Sequence, residues 1–274
     1  MSVITSWDNI SKNKIEILEH IIGPELQFKN KILLPYGAHW IFFNQDNSYQ
    51  NLGVDGHPKR GNFFPLLRGY KRMFGGSKLY FKKDIFINDK IKKTMKLETC
   101  NRKISSENNL YFFELTINYF REKAIVLKEH QTIVFLKSKN KKKKKKKKEI
   151  DLSNLSLIKK KSFNYNNIDL FRYSSLTNNS HRIHYDLDYA KKNEGHKNIL
   201  VHGPLLATTI LNQISMITGK KIKEFSFTSK GPIYVNENAV IKIFVSNIFK
   251  SQLVINILKK NSQLVVYAKA ELET

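Results

Sequence analysis

The stretch HGPLLATTILNQISMITGKK (202–221), followed by four alternating apolar segments, limits the possible folds more than any other feature of the chain. Pro204 suits the first turn of a helix, where its missing N–H has no helical partner. Leu206, Ile210, Ile214 and Ile217 recur at spacings of four and three, and Gly219 supplies the stop. Ala207, Thr208 and Thr209, mixed among larger residues, predict burial on more than one side. Next come IKEFSFTS, NAVIKIFVSNIF, SQLVINILKK and SQLVVYAKAEL, with period-two alternation at Val240, Ile241, Ile243 and Val245 and polar turns between. One long helix followed by four antiparallel strands predicts an α+β unit, a curled sheet wrapped on a central helix.

The first half carries a weaker version of the same order. NFFPLLRGYKRMFGGS predicts a shortened helix ended by Gly75 and Gly76, followed by KLYFKKDIFI, KIKKTMKLETCNRKIS, NLYFFELTINYFRE and AIVLKEHQTIVFLK. DIFIND (84–89) and PIYVNE (232–237) share an apolar–aromatic–apolar order followed by Asn and an acid, and both precede a long alternating strand. The reading is a duplicated helix-plus-sheet unit: a degenerate copy over residues 1–137, a lysine-rich linker over 138–161, and a second copy over 162–274. A length of 274 residues with 41% apolar content is enough to bury such a core.

The formal charge of +25 invites a nucleic-acid reading. Removing the eight lysines of Lys141–Lys148 leaves +17, much of it scattered lysine. The lysine run has no interleaved aromatic or arginine, and it sits where a domain connection is needed, so neither a nucleic-acid nor a membrane partner is expected. Cys100 excludes an intramolecular disulfide and is expected as a buried thiol, in keeping with a reducing cytoplasm. With no apolar run of about 18 residues and no apolar signal core, a soluble cytoplasmic protein is expected.

The chemistry concentrates in YSSLTNNSHRIHYDLDYAKKNEGHKNILVHGPLL (173–206). It resembles the MaoC-like acyl-CoA hydratases and dehydratases, hotdog proteins whose signature runs Leu-Thr-Gly-Asp-x-Asn-Pro-apolar-His, then Asp-x-x-x-Ala, then His-Gly at the central helix. Leu176 and Thr177 match, His184 falls on the signature histidine, Ala190 follows, and His202-Gly203 opens the helix. Asn178 replaces the glycine, Asn179 the aspartate, and His181-Arg182 the Asn-Pro pair. LTNNSHRIHYD is similar to a fused double-hotdog subgroup, the mesaconyl-C4-CoA and 3-methylfumaryl-CoA hydratases and the mitochondrial-type 3-hydroxyacyl-thioester dehydratases. LPYGAHWIFF and LGVDGHPKRGNFFPLL in the first half resemble the same subgroup.

The resemblance implies a double hotdog that hydrates enoyl-CoA or dehydrates 3-hydroxyacyl-CoA, with a C4-type branched dicarboxylyl substrate as the specific expectation. Such a reaction needs a base for water, an acid for the α-carbon, and donors for the thioester oxygen. His184 is expected to move the proton, and Asn179, which cannot titrate, to orient water or thioester. The N–H of Gly203 is the candidate oxyanion donor, although Gly203 also reads as a tight strand-to-helix turn. His202 reads equally as a buried hydrogen-bonded residue or a substrate contact, and His181 as structural or substrate-positioning. Asp186 could restore the missing carboxylate or cap a turn, and Tyr185 beside it is placed among the substrate contacts.

In DGHPKRG, the residue types alone describe a turn; the resemblance has Asp55, His57 and Arg60 closing the pocket, with Arg60 forking a substrate carboxylate. Arg68, Lys71 and Arg72 read as a solvated helix face or as contacts to coenzyme A phosphates. No cofactor and no metal are expected, since no glycine-rich phosphate fingerprint or metal-spaced ligand set is present. One site per chain follows if the fused copies mimic a hotdog dimer; a further homodimer is left open. Two other readings stay open, a fatty-acid-type 3-hydroxyacyl dehydratase and a silent acyl-CoA-binding protein.

Overall fold

The structure, a computed structural model, describes residues 3–22, 32–44, 48–61, 63–104, 108–138 and 152–274. The first half contains β1 (Val3–Asn9), α1 (Lys12–Ile22), β2 (Lys71–Phe81), β3 (Lys90–Ile104), β4 (Asn108–Arg121) and β5 (Ala124–Ser138). The second contains β6 (Leu155–Phe163), α2 (Asn167–Leu176), α3 (Leu187–Lys192), α4 (Gly203–Thr218), β7 (Ile222–Ser229), β8 (Ala239–Ser246), β9 (Gln252–Lys259) and β10 (Leu264–Leu272). The strands form one antiparallel sheet in the order β1-β3-β4-β5-β2-β7-β10-β9-β8-β6. Counted from its outer edge, each half has its first, third, fourth, fifth and second strand in that order. The halves therefore repeat one topology and meet edge to edge at β2 and β7, so neither inner edge is left open.

The duplication extends to single hydrogen bonds. Asn88 and Asn236 take left-handed backbone angles, φ 71° and 59°. Phe86 N donates to Asp89 Oδ2 at 2.8 Å, as Tyr234 N donates to Glu237 Oε2 at 3.0 Å. Leu34 N donates to Ile85 O at 2.7 Å, as Val201 N donates to Ile233 O at 2.9 Å. By this register Leu34-Pro35-Tyr36 occupies the place of Val201-His202-Gly203. Where the second copy then launches α4, the first makes one 3-10 turn, Ala38–Ile41.

The shortened helix expected at 62–77 is absent. Residues 63–70 are irregular and Lys71–Phe81 is strand β2, hydrogen-bonded to β5 along its length and to β7 over Gly76–Tyr80. Gly75 and Gly76 are not a helix stop; the register against β5 shifts between Phe74 and Gly76, as at a bulge. Gly76 has φ +157°, and a Cβ there would lie 2.3 Å from Phe227 O. Only glycine lets β2 and β7 approach this closely.

Helix α4 lies against the joined sheet and serves both copies. Every residue from Leu205 to Ile214 is buried, which matches the two-sided burial expected from its mixed composition. Thr208 Oγ1 donates to Gly37 O in the first copy at 3.3 Å, and Gly219, φ +63°, ends the helix. Its Ile210 and Leu211 share one core with Leu79, Phe225, Phe227 and Ile255, each contributing about 1.5–3 kcal/mol by leaving water. No helix among the described residues is long and apolar enough to cross a membrane.

Two expectations change. Cys100 is exposed, because β1 covers β3 only as far as Lys96 and the strand beyond has one neighbour. β6 begins at Leu155, inside the stretch read as linker. It pairs with β8 as an edge strand whose lysines Lys159 and Lys160 face solvent, a pattern that discourages further pairing. The run Lys141–Lys148 lies outside the described residues. Gly76→Ala is expected to cost about 2 kcal/mol or more through the Phe227 clash, read as a lower urea midpoint at unchanged slope.

Candidate active site

The pocket follows from the way β2 and β7 part. They pair only from Gly76 onward, so Lys71–Gly75 diverges from the residues after β7 and opens a cavity of about 1500 Å³. The cavity reaches from the N-terminus of α4 to Trp40, Lys93 and Gln131 under the first half-sheet, on the side where the first copy has no long helix.

Helix α2 starts on a capping box at Asn166 and Asp169 and ends at Leu176, where Thr177 Oγ1 donates to Tyr173 O at 2.7 Å. Asn178 then takes φ 48°, the left-handed region in which the signature glycine would sit and which asparagine tolerates. Asn179 Oδ1 accepts from His181 N at 3.1 Å, so its amide NH₂ remains to donate. A 3-10 turn, Arg182–His184, carries His184 into the cavity.

His184 Nδ1 lies 2.8 Å from Leu200 O. A carbonyl only accepts, so Nδ1 carries the hydrogen and Nε2 the lone pair. The ring stacks on His202, centroids 3.7 Å apart at 17°, and His202 Nε2 is held by Ser174 Oγ at 2.9 Å. His181 stands edge-on to His184 at 5.6 Å and meets His57 at 4.0 Å. Four imidazoles thus form a row contributed by both copies. Burial, with the nearby His181 and His196, brings His184 down to about 3, against the bond to Leu200 O, which raises it. Burial likewise pushes His57 and His202 well below their ordinary value, for His57 with the repulsion of Arg72 and against Asp55. At neutral pH these three rings are uncharged.

Residue 203 starts α4, and the N–H groups of its first turn lack helical partners at the positive end of the dipole. The Phe74 ring stands 3.3 Å from where a Cβ on Gly203 would be, so the position is closed to larger residues unless Phe74 moves.

The loop 53–60 is fastened to the signature loop through three of its backbone carbonyls. Arg182 N donates to Asp55 O at 3.0 Å, Arg182 Nη1 to Val54 O at 3.2 Å, and Ser180 Oγ to Gly56 O. Gly56 has φ +84°, and a Cβ there would stand 1.8 Å from Ser180 O. His57 lines the cavity, with Asp55 behind it: His57 N donates to Asp55 Oδ1 at 3.0 Å, and Nδ1 is 3.7 Å from Oδ2. Burial raises the Asp55 carboxyl, but the hydrogen bonds from His57 outweigh it and hold the group below the usual carboxylate range.

Six expected site residues line the cavity: His184, Asn179, Gly203, His202, His181 and His57. Four do not. Arg60 Nη1 donates to Leu67 O at 2.9 Å and Tyr70 O at 2.8 Å, and Nη2 to Asp55 Oδ2 at 3.3 Å, so its fork is occupied inside the protein. Asp55 is the carboxylate it grips. Asp186 caps α3 through Tyr189 N at 2.9 Å and pairs with Arg182 at 2.7 Å. Of the two readings of Asp186, a restored carboxylate or a cap, the structure shows the cap, because residues 182–184 form a 3-10 turn that leads straight into α3. Tyr185 is half exposed and donates to Ser180 O at 3.0 Å.

Glu194 reaches the row instead, with Oε1 3.8 Å from His181 Nε2. Its only sequence signal is an acid before Gly195 in a turn. His39 and Trp40, from the His-Trp element, serve the buried Glu129, which accepts from Trp40 Nε1, Ser77 Oγ, Tyr119 OH and Gln131 Nε2 and lies 3.6 Å from His39 Nε2. Asp55, His57 and His181 offer three ligand-capable atoms within 4.8 Å of one another. The guanidinium on Asp55 and the Arg72 charge felt by His57 oppose a metal cation there.

Residues 37–235 match the sequence profile described as hydroxyacyl-thioester dehydratase type 2. The chain belongs to that family. It is 29% identical over 205 residues to the mesaconyl-C(4)-CoA hydratase of Chloroflexus aurantiacus, covering 73% of this chain and 71% of that protein. It is 25% identical over 255 residues to the mitochondrial hydroxyacyl-thioester dehydratase type 2 of Schizosaccharomyces pombe, covering 83% and 84%. Among solved structures, a MaoC-like dehydratase of Phytophthora capsici superposes with TM-score 0.71 at 12% identity over 100% of this chain and 94% of that one. A Mycobacterium tuberculosis protein described as a double hotdog gives 0.63 at 10% over 99% and 96%. The fold is a double hotdog, and the family's chemistry makes this chain a hydratase or dehydratase of acyl thioesters.

The neutral histidines make stability depend on pH. Unfolded, each has a pKa near 6.5 and takes up a proton that the folded site refuses, so stability falls as pH drops from about 7 toward 5. The slope is up to ~1.4 kcal/mol per pH unit for each histidine fully titrating. Urea midpoints at pH 7, 6 and 5 measure it, and His202→Gln is expected to flatten the slope by one proton.

Proposed function

We propose that this family member adds water reversibly across the double bond of a 2-enoyl-CoA thioester, with mesaconyl-C4-CoA as the best-supported substrate. One observation carries the reading: His184, its Nδ1–H committed to Leu200 O, sits on the cavity wall with Nε2 basic, beside the Asn179 amide and the N-terminus of α4. In the hydration direction, Nε2 takes one proton from water while the water oxygen bonds the β-carbon. The double-bond electrons move to the thioester oxygen, where the Gly203 N–H receives the charge. The imidazolium then returns its proton to the α-carbon, and the ring is neutral again.

Burial keeps the His184 ring neutral at rest, which leaves Nε2 with a free lone pair for the proton of water. Asn179 cannot titrate, and its amide orients the water. His202 under the ring and His181 beside it fix its plane. The substrate choice draws on the Chloroflexus relative, whose named substrate carries a carboxyl group on the acyl chain. A fatty-acid-type 3-hydroxyacyl-thioester dehydratase is the second reading, favoured by the apolar wall of Phe42, Phe43 and Ile133 in the far part of the cavity.

Loss of the enoyl-thioester ultraviolet absorbance, followed with mesaconyl-C4-CoA and crotonyl-CoA in parallel, decides between them. His184→Ala is expected to lower kcat by about 10²–10⁴-fold while leaving the fold intact by circular dichroism. Wild-type rates in that variant would end the proposed mechanism. Turnover of crotonyl-CoA alone would favour the fatty-acid-type reading.

A further inference from the structure

A dicarboxylyl substrate buries a second negative charge, so the cavity must supply a cation for it. Among the described residues, four basic side chains border the cavity: Lys71, Arg72, Lys93 and Lys230. Lys71 Nζ already donates to Glu194 O. Lys93 has the buried Glu129 as its charge partner, and Lys230 is exposed. Arg72 is different. Its guanidinium lies over the Phe64 ring at 5.1 Å, and among the described residues it makes no hydrogen bond or ion pair. Burial lowers it to about 10, with Asp55 attracting and Arg60 repelling. Asp55 cannot neutralise both guanidiniums, and it is bonded to Arg60.

Position favours the acyl group as its target. Arg72 and Phe74 stand two residues apart on β2 in regular register with Phe135 and Ile133, so they face one side, with Cα atoms about 6.7 Å apart. The Phe74 ring is the group that packs over Gly203, where the thioester oxygen would sit. The Arg72 charge also reaches His57, the outermost ring of the histidine row. These distances suit a short acyl chain; the phosphates of coenzyme A lie a whole pantetheine arm from the thioester.

We propose that Arg72, not Arg60, forms a carboxylate-binding subsite, a guanidinium fork that reads the free carboxyl group of a dicarboxylyl thioester. The inference rests on the proposed reaction only for where the thioester lies. Arginine fits the task because its planar fork matches both carboxylate oxygens and keeps its charge when buried.

Succinyl-CoA and butyryl-CoA test it, because they share chain length, lack a double bond, and differ by a carboxylate in place of a methyl. Calorimetric titration of wild-type protein, Arg72→Met and Arg72→Lys reads the subsite without any turnover. Wild-type protein is expected to prefer succinyl-CoA, Arg72→Met to lose about 10- to 150-fold in succinyl-CoA affinity while holding butyryl-CoA nearly unchanged, and Arg72→Lys to fall between. Equal wild-type affinity for the two ligands, or equal weakening of both in Arg72→Met, overturns the assignment. If Arg72→Met does not fold, Arg72→Lys decides: a reduced preference supports the subsite and an unchanged one refutes it. An enzyme inactive on every enoyl thioester would defeat the proposed reaction and leave this binding result standing.

Discussion

The short ladder between β2 and β7 governs the rest of the molecule. Over Gly76–Tyr80 it joins the two copies into one sheet; at Gly76 it stops, and the strands part. Joining removes two sheet edges, and parting creates the cavity. Both depend on a glycine whose backbone stands almost in contact with Phe227 O. A longer ladder would have zipped the cavity shut, and a shorter one would have left the copies to associate through α4 and the bonds of loop 53–60.

Within the cavity, desolvation outweighs the charge interactions. His57 has a carboxylate close by, yet burial and Arg72 keep its ring neutral. Asp55 shows the opposite balance, since its partners overcome the cost of burial. The site therefore places neutral bases beside the charged Asp55 carboxylate. In the proposed reaction His184 starts from this neutral state, takes up a proton and returns it within one cycle.

Much of this was legible in the chain. The 3.6-residue spacing of α4, its proline entry and glycine exit, and the period-two strands after it encode one whole copy, because those elements bury continuous faces. The matching of DIFIND with PIYVNE was legible too, and it proved to be a shared turn with an asparagine at positive φ. The first copy's helix was misread because Phe63, Phe64, Leu66 and Leu67 give helical spacing to a segment that packs as irregular chain, while Gly75-Gly76 makes a bulge. At the site, the resemblance to the MaoC-like signature brought out His181, His184, His202 and Gly203, which lie within one short stretch. It could not separate Arg60 from Arg72 or find Glu194, since which guanidinium is already occupied is decided by carbonyls and carboxylates distant in sequence.

The two copies also differ at the one position that matters for a second site. Tyr36 stands where the second copy has Gly203. Its hydroxyl accepts from Ile222 N at 3.1 Å and its ring meets Phe81 edge-on at 4.6 Å, so a side chain fills the place where the thioester oxygen would approach. Pro35, at the place of His202, offers no imidazole to stack under a catalytic ring. The first copy also makes only the Ala38–Ile41 turn, so it has no long helix dipole to aim at an oxyanion. What it supplies is space and a wall: the cavity extends under its sheet, and its loop 53–60 brings His57 to the row. With Tyr36 in place of Gly203 and a single 3-10 turn where α4 would start, the joined copies enclose one larger cavity, its imidazole row held mainly by the second copy and its far wall by the first.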